Sequence, residues 1–181
     1  MIFNKKEFFV NGLKYTIRSA NETDAKELSE LRLTIDGETE NMDRERGEAF
    51  IDTEGFKHLI KSDTELPRNL FLVAETDNRL VGFSRCEGVY LKRFSHKIEF
   101  GVCILKEFQG LGIGKNLLKE SISWADSNGI RKMILYALET NESAINLYKK
   151  HGFVTEGLLK NDRVLSDGNY YNTIVMGRFI E

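Results

Sequence analysis

Leu13, Tyr15 and Ile17 alternate with Lys14, Thr16 and Arg18, the period-two pattern of a strand with one buried and one wet face. Glu7 to Val10 precedes it through Asn11-Gly12, a pair suited to the positive φ values of a type I′ turn, so the spacing predicts a hairpin. Asn21-Glu22-Thr23-Asp24 then offers N-caps for a helical stripe of Ala25, Leu28, Leu31, Arg32 and Ile35, ending near Asp36-Gly37. Phe56, Leu59 and Ile60 predict a second helix over Asp52 to Ser62, and Pro67 marks the turn after it. Leu70 to Glu75 and Arg79 to Glu87 read as strands joined through Asp77-Asn78, and Lys97 to Leu105 as a longer one. The helical period returns over Asn116 to Asn128, with Leu117, Ser121 and Trp124 on one stripe and Asn128-Gly129 as its C-cap. Lys132 to Leu138 reads as a strand. Asn141 caps a helix carrying Ala144, Ile145, Leu147 and Tyr148, which stops at His151-Gly152. Phe153 to Leu158 and Tyr170 to Phe179 read as two closing strands, with Asp167-Gly168 as a turn signal between them.

This order of hairpins and strand–helix–strand units predicts an α/β protein, a mixed sheet with helices on both faces. The 181 residues fit one domain spanning 1–181, without repeat, linker or low-complexity tract. A net charge of −2 gives no bulk attraction for nucleic acid or an anionic membrane, and no run of apolar residues is long enough to span a bilayer. The first residues lack the order of charge and apolar run that makes a secretory signal. Cys86 and Cys103 are too few for a disulfide framework, and no Cys/His cluster suggests a metal site, so a reducing cytoplasm is expected.

Chemistry concentrates in Gln109-Gly110-Leu111-Gly112-Ile113-Gly114-Lys115, between a strand and a helix. Glycines there let a ligand approach the backbone, and free amides at a helix start favour an anion. Neither nucleotide fingerprint fits. A Walker loop needs Gly where Gln109 stands and Ser or Thr where Asn116 stands, and a dinucleotide loop needs Gly at Lys115. The stretch is similar to the Gln/Arg-x-x-Gly-x-Gly/Ala loop of the GNAT superfamily of N-acetyltransferases, which cradles the pyrophosphate of acetyl-CoA. Some thirty residues on, Asn141 to Phe153 resembles that family's N-x-x-A-x-x-L-Y-x-K-x-G-F segment, with Asn141, Ala144, Leu147, Tyr148, Lys150, Gly152 and Phe153 filling every lettered position. The stretch from Gly157 to Met176 is similar to bacterial members that acetylate protein N-termini or polyamines.

The resemblance implies a GNAT-like, mostly antiparallel mixed sheet and transfer of acetyl from acetyl-CoA to a primary amine by direct attack, without a metal. It implies that the backbone of Val102, Cys103 and Ile104 meets the thioester and pantetheine, and that residues 109–115 hold the pyrophosphate with Lys115 as a point charge. Tyr148 stands where the family places its general acid, and Asn141 where it places a polar cofactor contact. Glu99 matches a frequent base position, against the alternative of an ordinary strand carboxylate; His96 and His151 are weaker candidates. Cys103 is read as strand packing. The acceptor is a small-molecule or peptide amine, with no nucleic acid or membrane partner, and a C-terminal edge strand could join a homodimer. The acidic window from Asp36 to Glu48 is either a solvated face or a rim that attracts a cationic amine. The alternative function is a catalytically silent acyl-CoA-binding module.

Overall fold

The computed structural model describes residues 3–181. A single eight-stranded sheet runs β1 (Lys6–Val10), β2 (Leu13–Ser19), β3 (Leu70–Thr76), β4 (Arg79–Gly88), β5 (Lys97–Ile104), β6 (Lys132–Leu138), β8 (Tyr170–Phe179), β7 (Val154–Val164) in spatial order. Every neighbouring pair is antiparallel except β5 and β6. Among the described residues four α-helices cover it: α1 (Ala25–Glu38), α2 (Thr53–Glu65), α3 (Ile113–Ser127) and α4 (Glu142–Lys150). Among the described residues no helix is long and apolar enough to cross a membrane.

The local signals act as expected. Asn11 and Gly12 take φ of 50° and 83°, and Asp77 and Asn78 take 49° and 60°, the paired positive values of a type I′ turn. Asn21 forms a capping box with Asp24 over a short 3-10 turn that leads into α1. Asp52, read from the sequence as the first residue of the second helix, instead caps it, accepting from the Gly55 amide at 2.8 Å.

Three boundaries differ from the sequence reading by three residues or more. Helix α2 continues to Glu65, stopping at Leu66 before Pro67. Helix α3 begins at Ile113 rather than Asn116, because Gly112, at φ 80°, turns the chain directly into it. Strand β7 runs on to Val164, since its pairing with β8 resumes at Arg163–Tyr171 after an irregularity beyond Leu159.

Alternation along β4 sorts the helices onto the two faces. Phe83 meets Phe71 at 5.8 Å, Phe71 meets Phe56 of α2 at 6.5 Å, and Arg85 pairs with Asp63 of α2. Ser84 points the other way, to Ser121 of α3 at 3.3 Å. Each large side chain sealed between these layers, such as Ile17, Leu72, Leu117 or Phe153, contributes roughly 1.5–3 kcal/mol.

Candidate active site

The one parallel pair is also the shortest. Strands β5 and β6 share only Lys97–Lys132, Ile98–Met133 and Glu99–Ile134 and then diverge, although both continue for several residues. A cavity of about 730 Å³ fills the wedge, floored by the divergent halves of both strands and reaching the glycine-rich loop and α4.

On the β5 wall, Leu105 N–H donates to Val81 O of the β4 side at 3.0 Å. Strand alternation therefore turns the amides of Val102 and Ile104 into the wedge, where no strand takes them, and turns the Cys103 amide back toward β4. The expected trio thus divides: Val102 and Ile104 offer backbone donors, whereas Cys103 lines the cavity through its side chain. The Cys103 sulfur lies 3.5 Å from Met42 Sδ, and burial pushes its thiol up to about 12, so it stays protonated.

At the wide end, Gly110 and Gly112 take φ of 78° and 80°, conformations that L side chains rarely adopt. A Cβ at Gly112 would also come within 3.2 Å of Val10 Cγ1. The first bond of α3 is Asn116 N–H to Gly112 O, which leaves the amides of Ile113, Gly114 and Lys115 without helical partners. Asn116 in turn donates to the Tyr15 hydroxyl at 2.7 Å, fixing the helix start against β2. Gln109 bridges back to Ile104 O at 3.3 Å. Lys115 is exposed and makes no ion pair among the described residues. The side chains of Leu111 and Ile113 do not line the cavity, and Ile113 is buried in the core, so of these two residues only backbone is available to a ligand there.

Helix α4 closes the other wall. Asn141 Oδ1 caps it by accepting from Ala144 N–H at 3.3 Å, leaving its NH₂ for the cavity that it also lines. Tyr148 is 8% exposed and packs on Phe153 with ring centroids 5.8 Å apart. It lines the cavity, and among the described residues nothing hydrogen-bonds to its hydroxyl. Burial, with Cys103 adding to it, pushes that hydroxyl up to about 12.

Glu99 sits at the apex. Loss of hydration raises its carboxyl above the ordinary range; Glu87 and Asp43 add like charge, and Lys97 and Arg85 oppose them. Of the three residues weighed as base, only Glu99 lines the cavity. The His151 ring is engaged with Leu147 O at 2.8 Å, and His96 lies beyond the paired end of β5, its carbonyl accepting from Arg131 and Lys132.

Sequence reasoning missed part of the lining. Met42, Asp43 and Arg44 reach the cavity from the α1–α2 loop, and Tyr136 from β6. The acidic window is mostly a solvated face, not a rim: Glu40, Asp43, Glu45 and Glu48 are exposed, and several of its carboxylates are tied into local contacts. Asp36 is buried and pairs with Arg44 at 3.0 Å, Glu38 accepts from the Lys106 amide, and Glu40 accepts from the Ser166 amide. Of its carboxylates only Asp43 lines the cavity, held by Arg163 at 2.6 Å. The charge run was visible in the sequence, but its partners at Lys106, Arg163 and Ser166 were not.

A family model described as the acetyltransferase (GNAT) family matches residues 36–153, from the last turn of α1 to just past the end of α4. This chain belongs to the GNAT family. Its GNAT relatives include the L-amino acid N-acetyltransferase of Escherichia coli, 33% identical over 59% of this chain and 66% of that protein. A ribosomal-protein alanine N-acetyltransferase of Haemophilus influenzae is 32% identical over 62% of this chain and 74% of its own length. A GNAT acetyltransferase structure from Streptococcus pneumoniae superposes with a TM-score of 0.89 at 27% identity, covering 92% of this chain and 99% of that one. The structural likeness therefore covers more of the chain than the family model, which itself takes in β5, the glycine-rich loop, β6 and α4 around the wedge.

Proposed function

We propose that this GNAT chain transfers an acetyl group from acetyl-CoA to a primary amine by direct attack within a ternary complex. In this reading the free amides at the start of α3, with Gln109 and Lys115, hold the pyrophosphate, where the helix dipole also favours negative charge. Val102 and Ile104 N–H groups pair with the pantetheine arm and donate to the carbonyl oxygen as charge develops on it. The acceptor nitrogen bonds to the thioester carbon, and the carbon–sulfur bond breaks. Glu99 takes the proton from nitrogen, directly or through a water, and Tyr148 gives a proton to the departing sulfur.

The observation that carries the reading is Tyr148: a phenol nine-tenths buried, protonated at any physiological pH, whose hydroxyl meets only the cavity. Tied to no protein acceptor among the described residues and opening on the cavity, that hydroxyl is free to donate to a ligand atom placed there. Coenzyme A release, followed with a thiol reagent over a panel of polyamines, amino acids and peptide N-termini, tests it. Release that depends on an amine is expected. Calorimetric binding of acetyl-CoA without release on any amine would instead identify a silent acyl-CoA module.

A further inference from the structure

Between β4 and β5 the chain leaves the sheet for eight consecutive exposed residues, Val89 to His96. Val89, Tyr90, Leu91 and Phe94 are 36%, 51%, 65% and 44% exposed, an unusual concentration of apolar surface for one short loop. Residues 88–98 contain no carboxylate, and Lys92, Arg93, Lys97 and neighbouring Arg68 make no ion pair among the described residues. Buried polar groups hold this loop in place. Asn69 is 2% exposed, is gripped by Asp63 at 2.6 Å, and accepts from Gly88 N–H at 3.0 Å and from the Tyr90 hydroxyl at 3.2 Å. Gly88 admits no side chain, since a Cβ would fall 2.6 Å from Arg68 Cβ.

We infer that this loop is a docking surface for a polypeptide acceptor with an acidic and apolar segment just after the amine that is acetylated. The inference rests on the transferase reading for the amine, and on the loop alone for the segment. Lys97 and Glu99 project from the same face of β5, two residues or roughly 7 Å apart. A negative apex, with Glu87 paired opposite Glu99, thus adjoins a positive, apolar loop. The complementary molecule begins with an ammonium and carries a carboxylate about two residues further on, with apolar side chains for Leu91 and Val89. A polypeptide N-terminus has that order, whereas a nucleic acid brings no aliphatic amine. Arg68 already covers one face of Tyr90 at 5.2 Å, and Lys97 one face of Phe94 at 4.9 Å, so those faces are not free for stacked bases.

The test compares two labelled peptides, Ala-Ser-Glu-Leu-Glu-Phe and Ala-Ser-Lys-Leu-Lys-Phe, binding to the full chain by fluorescence anisotropy and accepting acetyl from acetyl-CoA. The acidic peptide is expected to bind roughly tenfold tighter, and a Lys92→Glu/Arg93→Glu variant to erase or reverse that preference. Leu91→Ser should weaken both peptides, while turnover of a small amine stays unchanged in all loop variants. Equal affinity for the two peptides, or a preference that survives charge reversal, overturns the proposal. So does loop-dependent binding of a single-stranded oligonucleotide or phosphatidylserine vesicles in place of the peptide. Binding with the expected preference but no transfer to any amine counts against the transferase reading and leaves the docking surface standing.

Discussion

Glu99 and Ile134 form the last pair between β5 and β6, which puts a carboxylate at the point where the sheet opens. Its neighbours there are Glu87, directly across on β4, and Asp43 from the α1–α2 loop. If Glu99 is the base of the proposed transfer it must be ionised, so activity is expected to fall as pH drops through its raised pKa. The acid limb of kcat/KM is expected above the ordinary glutamate value of about 4.3. Glu99→Gln should remove that limb and slow transfer about 100-fold. Glu87→Gln, by removing a like charge, should move the limb to lower pH. A limb that survives Glu99→Gln would assign the base elsewhere.

Tyr148→Phe keeps the ring against Phe153 and removes only the hydroxyl. An acid used in the transition state is worth about 10²–10⁴ in rate, so kcat should drop on that scale while calorimetric affinity for acetyl-CoA stays level. Because the hydroxyl titrates near 12, wild-type activity should show no alkaline limb from Tyr148 below about pH 11. An unchanged kcat removes its role.

Gly112 and Gly114 separate folding from binding. Gly112→Ala forces an L residue to φ 80° beside Val10 and should cost about 1–2 kcal/mol, read as a lower Tm. At Gly114 a Cβ would meet only Ile104 Cγ1, at an ordinary 3.7 Å. Gly114→Ala should therefore leave Tm level and weaken coenzyme A binding, because the methyl group occupies the open space over the first turn of α3. Equal Tm losses in both variants would contradict this division.

Thr173 is 1% exposed, and its hydroxyl has no partner among the described residues. Thr173→Val replaces an unsatisfied group with an apolar one of similar shape and should stabilise by about 1 kcal/mol. Denaturant midpoints measure it; a loss of stability would show that the hydroxyl is satisfied in solution.

What the sequence by itself determined was local. Asn11-Gly12 and Asp77-Asn78 made their turns, Asn21 and Asn141 capped their helices, and the two apolar periods named the elements, because caps and turns need only near neighbours. The glycine loop and the Tyr148 segment were legible for the same reason, and both line the cavity. Tertiary structure alone decided where β5 and β6 part, which of Val102, Cys103 and Ile104 face the gap, and how the acidic window is spent. Those outcomes depend on pairings between distant segments: Arg163 reaches Asn41 across 122 residues, and Ser166 reaches Glu40 across 126. A side chain's own period cannot specify such a partner; only the register of the completed sheet brings the two together.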